Sequence, residues 1–328
     1  EMSKRNKHYI QSIIKIGHSN LVECGLFLFI FVFSLIVGSR YVGSDQKYYR
    51  EVYNQLRKYG LIKGYLYYSI SLDSFEIIHY LVDWVFCRIL PKDIVMSVFN
   101  SLLGVCLYKI LRKWGADRIN ALFVTLTNYY ILVLYFAAER LKFGFLLVAI
   151  GLLEDNLKIR DSLFLFSIFA HVQMAILFIS AKMQAFVRAL TRLVLNARIS
   201  VSVLISAIML CVVIFLMSNQ LISKFMYYRS EDMGIMDIVK IMMFFLASLV
   251  FSKNKSKVIY AFLPLLVATL IVGSFRTNIF AYFLMLYFCI PYKRGYNLTV
   301  WLTNIYYLIM SVDFLTQIFR YGRAFLAN

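Results

Sequence analysis

Leu26-Phe27-Leu28-Phe29-Ile30-Phe31-Val32-Phe33-Ser34-Leu35-Ile36-Val37 is apolar on every side of a helix, with Ser34 as its one polar member. A helix facing water keeps a polar face, so such a run belongs in a bilayer, where every backbone N–H and C=O must be bonded within the segment. About 20 such residues span a hydrocarbon layer of ~30 Å as an α-helix. Ile199–Met217, Val258–Val272 and Ile279–Pro291 repeat the pattern. Strands of a membrane barrel would alternate lipid-facing and lumen-facing residues, which these runs do not. The composition agrees: 328 residues, 61% hydrophobic, with a mean hydropathy of +0.73, exceed what one soluble core can hide. The expected fold is an all-α polytopic integral membrane protein.

The basic start (Lys4, Arg5, Lys7, Lys15) followed by an apolar stretch from Leu21 has the layout of a secretory signal. No small-residue cleavage site follows and further spans do, so a retained first helix is expected. Cys24, Cys87, Cys106, Cys211 and Cys289 are scattered through apolar segments without CxxC spacing. That pattern indicates buried thiols, with neither a disulfide framework nor a zinc site.

The net charge of +18 comes from Lys and Arg concentrated in short connections. Basic connections mark cytoplasmic loops, which accounts for the charge without nucleic acid as a partner. The cytoplasmic set is the N-terminus, Arg112–Arg118, Lys158–Arg160, Lys182–Arg198, Lys253–Lys257 and Lys293–Arg294. The first helix then leads outward to an external loop or interfacial segment over 38–76, and the stretch holding Asp73, Glu76 and Asp83 is interfacial or re-entrant. Asp93–Leu111 returns, Ile119–Ala137 exits and Leu141–Leu153 comes back. Asp161–Ala181 is basic at both flanks. Either Lys182–Arg198 lies on the outer surface as an amphipathic helix, or the segment holding His171 dips in and returns; the second reading is preferred. Ile199–Met217, an external loop over 218–236, Asp237–Phe251, Val258–Phe275, Ile279–Pro291 and Thr299–Leu315 follow. The expectation is about ten or eleven transmembrane helices with periplasmic loops, forming a single domain over 1–328.

Arg40, Asp45, Glu139, Arg140, Arg229 and Arg276 fall outside the cytoplasmic loops and share the external side of this topology. An arginine near the membrane costs a few kcal/mol (~2.5–3.5) at mid-bilayer unless it snorkels or is paired, so such positions are functional candidates. For Arg140 and Arg276, anion binding stands against snorkelling or structural pairing. Glu139 and Arg140 are adjacent and point in different directions on a helix, which frees Arg140 for another anion. His79 and Asp83, four apart, share a helix face, and a structural pair is the expected role. No Asp-x-Asp or clustered His/Asp set marks a metal site, so no metal and no cofactor are expected.

The most distinctive stretch is Arg40-Tyr41-Val42-Gly43-Ser44-Asp45-Gln46-Lys47-Tyr48-Tyr49-Arg50. Gly38 and Gly43 punctuate a helix exit, Ser44 or Asp45 can cap the next helix, and Asp45, Tyr48 and Tyr49 then fall close together along its first turns. A capped interfacial helix with an aromatic belt would explain these residues without chemistry. The pattern Arg40-x-x-Gly43-Ser44-Asp45-x-x-Tyr48-Tyr49 nevertheless resembles the signature that follows the first helix of the EpsG family, polytopic proteins that include Wzy-type O-antigen and exopolysaccharide polymerases. Phe75-Glu76, Arg140 ahead of Leu141–Leu153, Phe169-Ala170-His171, and Arg276 with Tyr282-Phe283 resemble later motifs of that family in the same order. Lys142 and Phe143 depart from it where a Gln and small residues are expected, as do Val172 and Gln173 after the histidine.

The resemblance implies a metal-independent glycosyltransferase that joins undecaprenyl-diphosphate-linked oligosaccharides into O-antigen or related surface polysaccharide. It further implies a bacterial cytoplasmic (inner) membrane location with the active site facing the periplasm or outside. Its partners would be the lipid-linked glycans, membrane lipids and a chain-length regulator protein. The departing diphosphate needs positive charge, and guanidinium forks suit phosphate oxygens. Arg140 and Arg276 are the first assignments and Arg229 a further one, with Arg40, Glu76, Tyr48 and Tyr49 completing the diphosphate and sugar contacts. The acceptor hydroxyl needs a base, with Asp45 first and His171 second; a structural hydrogen-bonding role stands beside catalysis for His171. Tyr227 and Tyr228 suit sugar stacking or an aromatic belt. A lipid-linked oligosaccharide flippase is the alternative, although the two related halves common in transporters are not visible. A membrane acyltransferase would need a His-centred motif that the chain lacks.

Overall fold

A computed structural model describes residues 2–196, 204, 208, 235–272 and 274–324, and all regular structure among them is helical. The apolar run Leu26–Val37 lies in α1 (Met2–Arg40), which extends to Arg40 and so passes through Gly38. Two short helices follow, α2 (Asp45–Leu56) and α3 (Leu61–Leu72), where an external loop or interfacial segment was expected. Gln46, Tyr49, Val52, Tyr53 and Leu56 form the buried face of α2, at helical spacing. Ser44 stands at the N-cap of α2 with φ 51° but makes no side-chain cap, which corrects its expected capping role. Gly43 is fixed from elsewhere: its N–H donates to the Gly322 carbonyl at 2.7 Å. A Cβ there would meet that oxygen at 3.0 Å.

After α4 (Ile77–Phe86), α5 (Lys92–Lys113) packs along α1. The close approach centres on Gly104, whose added Cβ would collide with Ile30 and stand 2.7 Å from the Tyr135 hydroxyl. α6 (Arg118–Thr127) and α7 (Tyr129–Phe136) form one apolar stretch bent by 51° at Asn128. The Asn128 side chain caps α7 by accepting the Tyr130 N–H and donates to the Tyr282 hydroxyl at 2.8 Å. Tyr282 in turn donates to Asn304. The backbone groups freed by the break thus find polar partners away from lipid.

α8 (Glu139–Leu153) runs back, and its last carbonyl region is held by Lys113, which donates to the Leu153 carbonyl at 3.1 Å. α9 (Leu157–Ala170), capped by Asn156, and α10 (Met174–Asn196) form a hairpin with His171 in its turn. The Lys182–Asp161 ion pair, at 2.6 Å, ties the two arms together away from that turn. Then come α11 (Ile235–Phe251), α12 (Lys255–Val272), α13 (Ser274–Cys289), a 3-10 turn (Tyr292–Gly295) and α14 (Leu298–Tyr321).

Among the described residues four helices are long and apolar enough to cross a membrane, within Asn20–Arg40, Lys92–Lys113, Met174–Arg192 and Tyr292–Tyr321; the bent α6–α7 pair makes five. This is fewer than the ten or eleven expected. The apolar run of α8 is helical but short: 15 residues rise only ~22 Å. The span expected over Ile199–Met217 lies outside the described residues, apart from helical Leu204 and Ile208, as does the loop over 218–236 apart from Ile235 and Met236, which open α11. Leu28, Phe29, Val32 and Ile36 on α1, Leu246 and Val250 on α11, and Leu302, Ile309 and Val312 on α14 are exposed. Apolar stripes of this extent are compatible with a lipid surround.

Candidate functional site

Two ends can be told apart along the bundle. α8 starts with Glu139–Arg140 and finishes beside Lys113; α9 starts with Lys158–Arg160 and finishes at His171; α13 starts near Arg276 and finishes toward the basic turn at Lys293–Arg294. The ends holding Arg140, His171 and Arg276 converge.

Glu76 is at their centre. The turn between α3 and α4 is tight, with Asp73 left-handed (φ 44°) at the end of α3 and Glu76 at the N-cap of α4. The carboxylate is 2% exposed and accepts the Ser74 hydroxyl at 2.5 Å. Arg140 Nη1 approaches Glu76 Oε2 at 2.8 Å, an ion pair rather than a directed hydrogen bond, while Arg140 Nε donates to the Tyr49 hydroxyl at 3.0 Å. On its other side Glu76 Oε1 stands 3.3 Å from His171 Nδ1. His171 Nε2 lies 3.2 Å from Arg276 Nη1. Guanidinium can only donate, so Nε2 is the acceptor nitrogen and Nδ1 carries the proton, and its approach to Glu76 is a charge contact rather than a directed hydrogen bond. His171 reaches this position because its backbone leaves the helix (φ −159°) between α9 and α10. The array reads Tyr49, Arg140, Glu76, His171, Arg276, drawn from α2, α8, α4, the α9–α10 turn and α13.

A second array lies behind Tyr49, of which the sequence disclosed only the His79–Asp83 pair. Glu139 points away from Arg140 and receives Lys92 at 2.7 Å, Gln46 at 3.0 Å and His79 Nε2 at 3.1 Å. His79 Nδ1 meets the Tyr68 hydroxyl at 2.8 Å and Asp83 at 3.5 Å, the expected pair. Lys142, one of the departures from the family pattern, is fully buried and donates to Asn100 at 2.7 Å and to the Tyr135 carbonyl. His79, Asp83 and Glu139 together offer three metal-ligand atoms within 4.8 Å, a cluster the sequence spacing did not disclose. Lys92 already takes up one Glu139 oxygen at 2.7 Å and His79 bridges Glu139 and Asp83, so these residues hold one another as an ion-pair cluster. Tyr49 separates the arrays, with Lys92 5.2 Å and Arg140 5.7 Å from its ring centroid.

Of the residues named from sequence, Tyr49, Glu76, Arg140, His171 and Arg276 come together. Arg40, Asp45 and Tyr48 are exposed on the end of α1 and the first turn of α2, and Asp45 makes no ion pair or hydrogen bond to any described residue. Arg229, Tyr227 and Tyr228 lie outside the described residues. Sequence reading passed over Arg50, whose guanidinium grips Asp93 with contacts of 2.7 and 3.1 Å and the Gly38 carbonyl at 2.6 Å, locking α1, α2 and α5 together. It also passed over Gln46 and Lys92. For Lys92 a signal existed: an ionisable residue opening an apolar helix. Comparison with models of known protein families, with curated proteins and with solved structures finds no match to the chain.

Proposed function

We propose that the chain is a membrane glycosyltransferase of the polymerase type, joining glycans carried on undecaprenyl diphosphate at the periplasmic or outer face of a bacterial cytoplasmic membrane. One observation carries the reading: Arg140 and Arg276, far apart in sequence, bracket a buried Glu76–His171 pair. Two permanent forks on either side of a carboxylate–imidazole dyad supply what transfer from a lipid diphosphate needs. Arg140 is 14% exposed, whereas the dyad is buried.

In the proposed step the donor diphosphate takes up both arginines. Arg276 then leaves His171 Nε2, which becomes free to accept a proton. The acceptor hydroxyl attacks the anomeric carbon of the donor, forming the C–O bond to that carbon. The C–O bond to the diphosphate breaks, and its electron pair departs with the lipid diphosphate. The hydroxyl proton moves to Nε2, and Glu76 on Nδ1–H stabilises the imidazolium. On this reading His171 takes the role of base, and Glu76 positions it rather than touching sugar. Asp45, exposed at the start of α2, is given no part in this step. A donor aimed at charge developing in the transition state is worth roughly a hundredfold in rate. In intact cells, Arg140→Ala or His171→Ala at unchanged protein level should leave single repeat units on the carrier and remove long chains. Unchanged chain length in both variants would sink the reading.

A further inference from the structure

At the opposite end of the bundle, α5, α8, α9, α10, α12 and α13 enclose a cavity of about 290 Å³. Its body is apolar, built from Leu111, Phe145, Leu152, Phe164 and Phe283, with Trp114 in its wall. Its rim is basic: Arg160, Lys182 and Lys257 stand there with Asp161 as their one carboxylate. Asp161 serves two of the three, Lys182 at 2.6 Å and Arg160 at 3.8 Å. Among the described residues the Lys257 ammonium meets only the Tyr287 hydroxyl, at 2.5 Å, and the face of that ring. The Ser180 hydroxyl in the wall is buried and has no hydrogen-bond partner among the described residues.

We propose that this cavity binds one anionic glycerophospholipid, its acyl chain inside, an ester carbonyl accepting from Ser180 and its phosphate on Lys257 and the Arg160–Lys182 pair. The volume sits at the small end of ligand pockets and suits one chain, not a glycan. The net positive rim selects an anionic head, as basic pockets between membrane helices do. A buried hydroxyl with no acceptor calls for one on the ligand, which favours an ester lipid over an isoprenoid carrier. The inference stands independently of the reaction above, since the cavity shares no residue with the Arg140–Arg276 array.

Trp114 supplies the test. In a chain with Trp84 and Trp301 replaced by Phe, reconstituted in phosphatidylcholine vesicles, dibrominated phosphatidylglycerol should quench Trp114 with about fivefold preference over dibrominated phosphatidylcholine. Lys257→Gln should bring that ratio close to one. Ser180→Ala should weaken the diester lipid while leaving a diether analogue unaffected. A chain retaining only exposed Trp301 reads the surrounding lipid and should show little preference. Equal quenching of Trp114 by both lipids, a preference that survives Lys257→Gln, or the same preference at Trp301 would overturn the proposal.

Discussion

Glu139 and Arg140 are neighbours in sequence, yet each belongs to a different array, and this separation predicts opposite phenotypes. Glu139 neutralises Lys92 in a buried cluster that also holds Lys142. Removing one partner of a buried ion pair leaves the other charge stranded, which costs about 3–5 kcal/mol. Glu139→Gln should therefore lower the thermal midpoint of the detergent-solubilised protein sharply, and an unchanged midpoint would remove its structural role. Arg140→Lys should fold normally, because the ammonium keeps a positive charge beside the buried Glu76 carboxylate. It should still lose roughly a hundredfold in transfer rate, since an ammonium cannot reach Tyr49 and Glu76 together in place of the Nε and Nη1 of one fork. Arg140, His171 and Arg276 were legible as charges or hydrogen-bonders where the bilayer does not require them. Asp45 is exposed at the start of α2, since the sequence marks a helix start there but not which face of α2 turns inward. Gln46 and Tyr49 take that face.

At the scale of elements, the long apolar helices could be read directly and the breaks could not. Asn128 and His171 look like single polar residues in apolar surroundings, whereas each ends a helix and turns a side chain into the interior. Their partners, Tyr282 for one and Glu76 for the other, are distant in sequence. The α1–α5 crossing depends on Gly104, and Gly104→Leu should force the helices apart at Ile30 and Tyr135, at a cost of about 1–3 kcal/mol for overpacking. Urea or thermal unfolding in detergent would measure it, and a stability matching the parent would show the contact to be slack. α6 carries a pH-dependent cap. The Ile119 N–H holds the Asp117 carboxyl below the usual carboxylate range, with Tyr296 adding a second donor at 3.1 Å. The unfolded chain therefore binds that proton more tightly. The cap contributes fully above the ordinary carboxylate pKa and is lost as pH falls through the lowered one. Asp117→Asn keeps a capping side chain and should flatten the acid side of a plot of thermal midpoint against pH. An unaltered slope would assign the acid sensitivity elsewhere.

For the whole molecule, the bilayer accounts for the exposed apolar stripes, and the separation of the two ends accounts for the charge pattern. The basic connections at Lys113, Lys182, Lys257 and Lys293 gather at one end, with the Glu76–His171 dyad at the other. With the native cysteines replaced, Asp45→Cys and Tyr48→Cys should react with an impermeant thiol reagent from outside the cell. Lys113→Cys and Lys293→Cys should react only after permeabilisation, and the reverse pattern would invert the topology. Among the described residues fewer helices than expected reach the length of a span, because an apolar run does not fix the length of the helix it forms, as α8 shows. The claim on which the rest depends is that the two arginines and the dyad form one transfer site. Its most direct measurement is polymer formation by the purified protein in vesicles supplied with undecaprenyl-diphosphate-linked oligosaccharide. Elongated glycan with release of lipid diphosphate is expected, and loss of both on Arg276→Ala; no elongation by the unaltered protein, or full elongation by that variant, would rule out a transfer site here.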